Sequence, residues 1–466
     1  MNARVVVIGG GISGLSVAYW LKRRGVDVIL LEKSTTVGGT MKTVREDGWL
    51  VETGPNSALE TTPLFGEMFA DLGILNERVY ADERANRRYI LRNGVLHALP
   101  MSPPAFLSSK LWTWRGKLRI LKEPLVGRAA KEESVAEFVE RRLGREFLDY
   151  AINPFVAGVY AGNPEQLSVR AAFPKLYALE EKYGGLIKGM IKGAKERKQR
   201  AEKAKDRARM FSFVGGMATF PQAIARMLGE AVRTNARVVG IEWLNSSLLT
   251  VMIESRGGTE ALEAQAVVIA TPAMQASQLV ASVSPPTAEA LRRIYYPPVA
   301  EVFLGFRLEQ IARSLDGFGF LVPAKERRRI LGTIWSSAIF PDRAPEGYAA
   351  LTTFVGGSRQ PEMCSLDESE LVRTVTEELR SIMGVNGNPV FSKVVRWERA
   401  IPQYNLGYLD IMAELDRCEA NVPGLFFCSN FRGGIAVGDC VMNANKLVER
   451  IYSMAQTRKT GHPVSG

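Results

Sequence analysis

The sequence has 466 residues, 46% of them apolar and 23% charged, with a formal net charge of +11. This is globular composition, too long for one ordinary core, so two or three domains are expected and wholesale disorder is excluded. With only two histidines, His97 and His462, a histidine-rich metal site is excluded, no metal is expected, and a Ser–His pair would have to use His97.

The chain opens on Arg4–Ile8, a strand, followed by glycines, a helix over Ser13–Arg24 stopped at Gly25, and a second strand Val28–Leu31 ending at Glu32. Residues 105–210 read mostly helical. Val135, Phe138, Val139 and Leu143 share a helical period, with Ser134 as N-cap and Glu137 at N3. From Lys182 to Arg209 there are eleven Lys/Arg against three acids, a local +8. There Lys188, Lys192 and Lys195 alternate with Leu186, Ile187, Met190 and Ile191, giving one basic and one greasy face. The pattern fits a solvated helix or an interfacial helix on anionic lipid. No zinc-finger or RRM-like module supports nucleic acid. Strands return over 211–275, and residues 276–420 mix both types, with a helix closing on Gly384. "PGLFFCSN" gives a late strand and "VGDCVMNANKLVERIYSMA" a last helix, with a loose polar tail after Gln456.

No apolar run reaches the roughly 18 residues of a membrane span, and no secretory signal is apparent. The four cysteines lack CxxC spacing and read as reduced thiols of a cytoplasmic protein.

"GGGISG" places Gly9, Gly10, Gly11, Ile12, Ser13 and Gly14 between strand and helix, with Gly9, Gly11 and Gly14 satisfying GxGxxG. The first glycine allows a tight turn, the second lets a pyrophosphate approach, and the third lets helix and strand pack closely. Free N–H groups at the helix start favour phosphate. Glu32, 18 residues past Gly14, can accept bonds from ribose hydroxyls and disfavours a 2′-phosphate. The motif therefore predicts a bound dinucleotide.

"EKSTTVGGTMKT", with Gly38 and Gly39, and "GWLVETGPNS" (Gly48–Ser57) resemble the FAD-binding amine-oxidase superfamily. The resemblance implies FAD. More specific are "VYAGNPEQLSV" (Val159–Val169), "GFGFLVP" (Gly317–Pro323), "FPDRAP" (Phe340–Pro345), "LTTFVGGSR" (Leu351–Arg359) and "IPQYNLGYL" (Ile401–Leu409). In this order they resemble the oxygen-dependent protoporphyrinogen IX oxidases, from about residue 4 to about 453.

That resemblance implies an α/β fold with a discontinuous Rossmann-like FAD domain (1–60, 210–275, 421–457). A mixed α+β substrate domain (61–100, 276–420) and a helical membrane-associated domain (101–209) complete it. It implies that Glu32 and Lys33 lie at the adenosine end, with Val238 beside the adenine. Thr40, Gly54, Pro55, Asn56 and Ser57 flank the flavin, Trp397 adds a contact, and Ile435, Ala436 and Val437 close the ring end. Leu321, Ile334 and Phe354 would line an apolar slot, with Ala161 and Gly162 at its edge and Asn56 near the ring. On residue type alone, Val238, Trp397 and the slot residues also fit an ordinary core. Several relatives place an arginine where this chain has His97; the resemblance implies that His97, or Arg92 five residues earlier, partners the substrate's propionates, while on residue type alone His97 also fits an uninvolved surface histidine.

The implied reaction is a six-electron oxidation of protoporphyrinogen IX in three rounds. Each round passes a hydride to the flavin, releases a pyrrole proton and ends with O2 taking the electrons as H2O2. No catalytic side chain is singled out. The rivals are coproporphyrinogen III oxidation, an amine oxidase or desaturase, and a non-catalytic flavin-binding membrane adaptor. Expected partners are a tetrapyrrole, O2 and an anionic membrane surface, with a homodimer left open, and the expected location is the inner face of the cytoplasmic membrane.

Overall fold

Short, wholly apolar strands are buried on both faces when they pair in parallel, and four such runs build the nucleotide unit. The computed structural model describes residues 4–197, 208–245, 248–255 and 258–460. Its five-stranded parallel sheet runs Val232–Arg233, Val28–Leu31, Val5–Ile8, Ala266–Ile269, Leu425–Phe427. On one face Val5, Val7, Leu30 and Val268 pack with the helices Ile12–Arg23, Thr219–Leu228 and Val437–Thr460. On the other, Val6, Ile8, Val267 and Ile269 meet Ile241, Val251 and Leu262 of an antiparallel three-stranded sheet. Phe65, Met68 and Phe69, in the stretch assigned from sequence to the substrate domain, pack into the nucleotide core.

A second sheet has seven strands in the order Phe391–Trp397, Val299–Arg307, Tyr348–Gly356, Gly332–Ile334, Gly319–Leu321, Arg88–Arg92, Val95–Ala98. All its pairs are antiparallel except Gly319–Leu321 with Arg88–Arg92. Ala300, Val302, Leu304 and Phe306 turn one face toward the helix Glu368–Met383, whose Leu371, Val375 and Leu379 are buried against them. That helix carries a capping box at Asp367 and closes on Gly384 at φ +67°. The opposite face is the one that matters for function.

Residues 103–197 form short helices. The predicted N-terminus is present: Ser134 Oγ accepts from Glu137 N, and the Glu137 carboxylate accepts from Ser134 N. The centre of this unit is ionic. Arg142, fully buried, donates to Glu123 Oε1 at 2.6 Å and also pairs with Glu180. Glu123 in turn accepts from Leu186 N at 2.7 Å and Ile187 N at 3.1 Å, so it caps the basic helix Leu186–Arg197.

Two expectations change here. The last helix does not end near Gln456 but continues to Thr460. Of the greasy face, Leu186 is buried in the core and Ile187 is half-buried, leaving Met190 and Ile191 outside. Residues 198–207 of the basic run, the Lys195 side chain and His462 lie outside the described residues. Among the described residues no helix is long and apolar enough to cross a membrane.

Candidate active site

The glycine turn is built as its spacing requires. Gly9 has φ +109°, and a Cβ there would lie 3.0 Å from the Ala270 backbone. At Gly14 a Cβ would lie 2.0 Å from Gly9 O, so strand and helix touch only because it is absent. Gly11 differs: a Cβ there would meet nothing within 4 Å. The turn thus leaves room at the position where a pyrophosphate needs it, above the start of the Ile12–Arg23 helix. Gly10 N donates to Glu32 Oε2 at 2.7 Å, and Ser34 N to Oε1 at 2.8 Å. Both Glu32 oxygens keep a further lone pair for a ribose. Lys33 is exposed beside it. Val238 lies two residues past Ala236, whose N–H donates to Glu32 O at 2.9 Å, which puts it at the adenosine end. Gly38 N donates to Gly10 O at 2.8 Å, laying the second glycine pair along the turn. The residues present fit a dinucleotide.

The flavin-end residues also come together. A Cβ on Gly54 would lie 2.1 Å from Thr40 O, so Thr40 and the Gly54–Ser57 segment are in contact. Asn56 Nδ2 donates to Gly54 O at 3.2 Å. Trp397 Nε1 donates to Thr53 O at 2.8 Å, tying the seven-stranded sheet to this segment. Ile435 and Ala436 are half-buried ahead of Val437, which starts the long last helix. That helix packs at Gly438 against Thr61.

Strand register places the slot residues on one face. Phe354 pairs with Gly332 and Glu301, Gly332 with Leu321, and Ile334 with Thr352 and Gly319. Leu321 pairs with Ile90, Ile90 with His97, Gly319 with Arg88, and Val299 with Trp397. Directly paired residues point to the same side of a sheet. Leu321, Ile334, Phe354, Trp397 and His97 therefore share a face, and Arg88, Ile90 and Glu301 join them. Leu321, Ile334 and Phe354 are half-buried, as lining residues are.

Arg92 is already committed: it donates to Glu146 Oε1 at 2.8 Å and to Leu111 O, and its guanidinium lies 4.3 Å over Tyr150. Burial, reinforced by the Arg92 charge, lowers the proton affinity of His97. Gly162 does not leave open room, since a Cβ there would lie 2.4 Å from Gln403 Oε1. Ala161 is buried at φ +50°, and its carbonyl accepts from Ser358 N at 2.7 Å.

Sequence reasoning missed another cation on this face. The Arg88 side chain is exposed, yet desolvation by surrounding protein lowers its proton affinity. It lies 5.4 Å over Phe318, and among the described residues no carboxylate pairs with it. The available signal was strand alternation in "RYILR": Tyr89 and Leu91 are core, so Arg88 and Ile90 face the other way.

Also unanticipated is a buried carboxyl pair. Glu52 accepts from Thr43 Oγ1 at 2.7 Å and Met217 N at 2.9 Å, yet burial pushes it up to about 7. Glu301 is pushed well above the carboxylate range, by burial first and by the Glu52 charge second, and its Oε2 has no partner.

The profile of the flavin-containing amine oxidoreductases matches residues 12–451. The chain belongs to this family. Its cofactor is FAD, and the flavoenzyme is an FAD-dependent oxidoreductase. It is 33% identical to protoporphyrinogen oxidase 2, chloroplastic/mitochondrial, of Arabidopsis thaliana, covering 97% of this chain and 94% of that one. It is 28% identical to coproporphyrinogen III oxidase of Bacillus subtilis (strain 168), covering 94% and 95%. A crystal structure of a protein from Exiguobacterium sp. 255-15 shares the fold at TM-score 0.79 and 24% identity, covering 97% of this chain and 99% of that one.

Proposed function

We propose that the flavoenzyme oxidises protoporphyrinogen IX to protoporphyrin IX with O2 as electron acceptor. The observation that carries this reading is the single sheet face on which apolar Leu321, Ile334 and Phe354 lie between Trp397, tied to the flavin-end segment, and the unpaired cation Arg88. A tetrapyrrole is broad and apolar with acidic arms, and asks for such walls with a cation at the rim. FAD, when bound, supplies the redox chemistry, taking two electrons per round and passing them to O2 as H2O2. The chain's own residues hold and orient: the glycine turn fixes the phosphates, Glu32 the ribose, and Arg88 a propionate.

The same reading divides the chain into a nucleotide unit, a substrate unit built on the seven-stranded sheet, and a helical unit over residues 101–209. Coproporphyrinogen III is the second reading, favoured by the near-full-length likeness to the Bacillus subtilis protein. Porphyrin fluorescence developing in air from each porphyrinogen, with H2O2 counted, tests both. Faster turnover of the two-propionate compound, with about three H2O2 per porphyrin, supports the first reading. Preference for the four-propionate compound replaces it with the second.

We also propose that the helical unit rests on an anionic membrane at the inner face of the cytoplasmic membrane. Trp114, Leu118, Leu121 and Leu125 are all exposed at helical spacing, with Leu125 at 88%. The Glu123 carboxylate between them caps the basic helix, bringing exposed Met190 and Ile191 and the charged Lys188 and Lys192 alongside. Exposed apolar residues rimmed by Lys and Arg fit a headgroup layer.

A further inference from the structure

The strand that carries Phe354 ends in two glycines at φ +93° and +67°, Gly356 and Gly357. A Cβ on Gly357 would lie 2.7 Å from Ala161 O, so the chain turns back tightly against the helical unit. The turn delivers Arg359 beneath the Gly319–Leu321 strand. Its Nη1 donates to Val322 O at 2.8 Å and its Nη2 to Asn153 Oδ1 at 3.0 Å. Asn153 begins the helix Asn153–Tyr160, directly after the π turn Leu148–Ile152, and Gly158 of that helix packs against Leu321. Arg359 thus bridges the residue that follows Leu321 to the first residue of the Asn153–Tyr160 helix, where the sheet meets the helical unit.

Both acceptors are neutral. Among the described residues no carboxylate pairs with Arg359, and burial alone lowers its proton affinity, to about 10. At neutral pH it is therefore a crowded, charged guanidinium whose five N–H donors are only partly used. A half-buried cation held by neutral groups is costly unless an anion completes it. The neighbouring Ser358 Oγ is also sealed without a partner. Arg88 pairs with Gly319, at one end of the Gly319–Leu321 strand, while Arg359 bonds Val322, just past its other end.

We propose that Arg359 is a second carboxylate site of the slot, binding a propionate of the tetrapyrrole by charge-assisted hydrogen bonds while Arg88 takes another. This rests on the tetrapyrrole reading above. Arg359 then sets how many acidic arms the flavoenzyme recognises and how the macrocycle lies over the sheet.

The test is binding of protoporphyrin IX and of its dimethyl ester to the FAD-loaded protein, by quenching of porphyrin fluorescence in detergent. The wild type should bind the diacid more tightly than the ester. Arg359→Gln should weaken the diacid about tenfold, the size of one charge-assisted bond, and leave the ester unchanged. Arg359→Lys, which keeps the charge and guards against a folding defect, should retain part of the preference. Arg88→Gln combined with Arg359→Gln should erase it. Equal weakening of acid and ester in Arg359→Gln, or no change in either, overturns the proposal and makes Arg359 a strut between sheet and helix. A wild type that binds both forms equally also overturns it. A wild type that binds neither form overturns the tetrapyrrole reading itself.

Discussion

Glu52 and Glu301 belong to different sheets, and the charge on Glu52 raises the proton affinity of Glu301. Glu52 ends the strand leading into the Gly54–Ser57 segment, while Glu301 sits cross-strand from Phe354. Two carboxyls in such a place cannot both ionise cheaply.

The sign of the resulting pH dependence follows directly. The Glu52 carboxyl is raised in the folded chain from an ordinary 4.5 to about 7, so the folded state binds more protons than the unfolded state in that window. Its contribution is fully present below about 4.5 and is lost as pH rises through 7, at a cost on the order of 3 kcal/mol. Glu301→Gln removes one ionisable member and the repulsion with it. Denaturant midpoints of this variant should exceed wild type at pH 8 and match it near pH 5. A constant difference at both pH values would show that the pair does not titrate on folding.

Gly11→Ala and Gly14→Ala should separate cofactor binding from folding. The Gly11 Cβ meets nothing within 4 Å, so the Gly11→Ala protein should fold with unchanged far-UV circular dichroism. The added methyl would occupy the room kept for the pyrophosphate, and the preparation should be colourless or nearly so. Gly14→Ala places its methyl 2.0 Å from Gly9 O and should lose soluble yield as well as colour.

Arg88→Gln should raise KM for the porphyrinogen about tenfold, as loss of one charge-assisted bond to the substrate does, with a smaller change in kcat. Arg92→Gln should instead lower the thermal midpoint, because it strips the Glu146 carboxylate of its partner. Steady-state kinetics and melting curves on the two variants distinguish an anchor of substrate from a prop of the fold.

Arg142→Met should destabilise the helical unit by about 3–5 kcal/mol, since it leaves the buried Glu123 and Glu180 without their cation. Hydrogen exchange should rise first at Leu186 and Ile187, whose N–H groups Glu123 holds. Uniform exchange throughout the chain would argue against a local role.

Leu121→Glu combined with Leu125→Glu should abolish co-sedimentation with anionic liposomes while leaving activity in detergent intact. Wild-type binding should fall with added salt, because screening sets in over roughly 8 Å at physiological ionic strength. Salt-independent binding would remove the basic helix from the contact.

The nucleotide turn was legible because its constraints are local: tight turn, open approach and close packing each act on one glycine. The Ser134–Glu137 box was legible for the same reason. The slot needed pairing across six strand boundaries, and sequence does not print register. Hence sequence offers His97 and Arg92 as the cation, while pairing adds Arg88 to the same face. That Gln403, some 240 residues on, closes tightly on Gly162 is likewise a contact that sequence does not print. Glu301 was hidden inside the apolar run "AEVFLGF", where a single acid reads as an edge residue until both flanking strands are seen. The exposed stripe from Trp114 to Leu125 went unnoticed because apolar residues at helical spacing look alike whether they face a core or a solvent.

The Ala266–Ile269 strand pairs on one side with Val5–Ile8 and on the other with the edge strand Leu425–Phe427. During synthesis that outer edge stays open until the ribosome has passed Phe427, and the last helix comes later still. The cofactor site therefore closes only after Leu425–Phe427 has been made, and a polypeptide cut short before it exposes an unpaired β edge, ready to aggregate rather than to hold flavin.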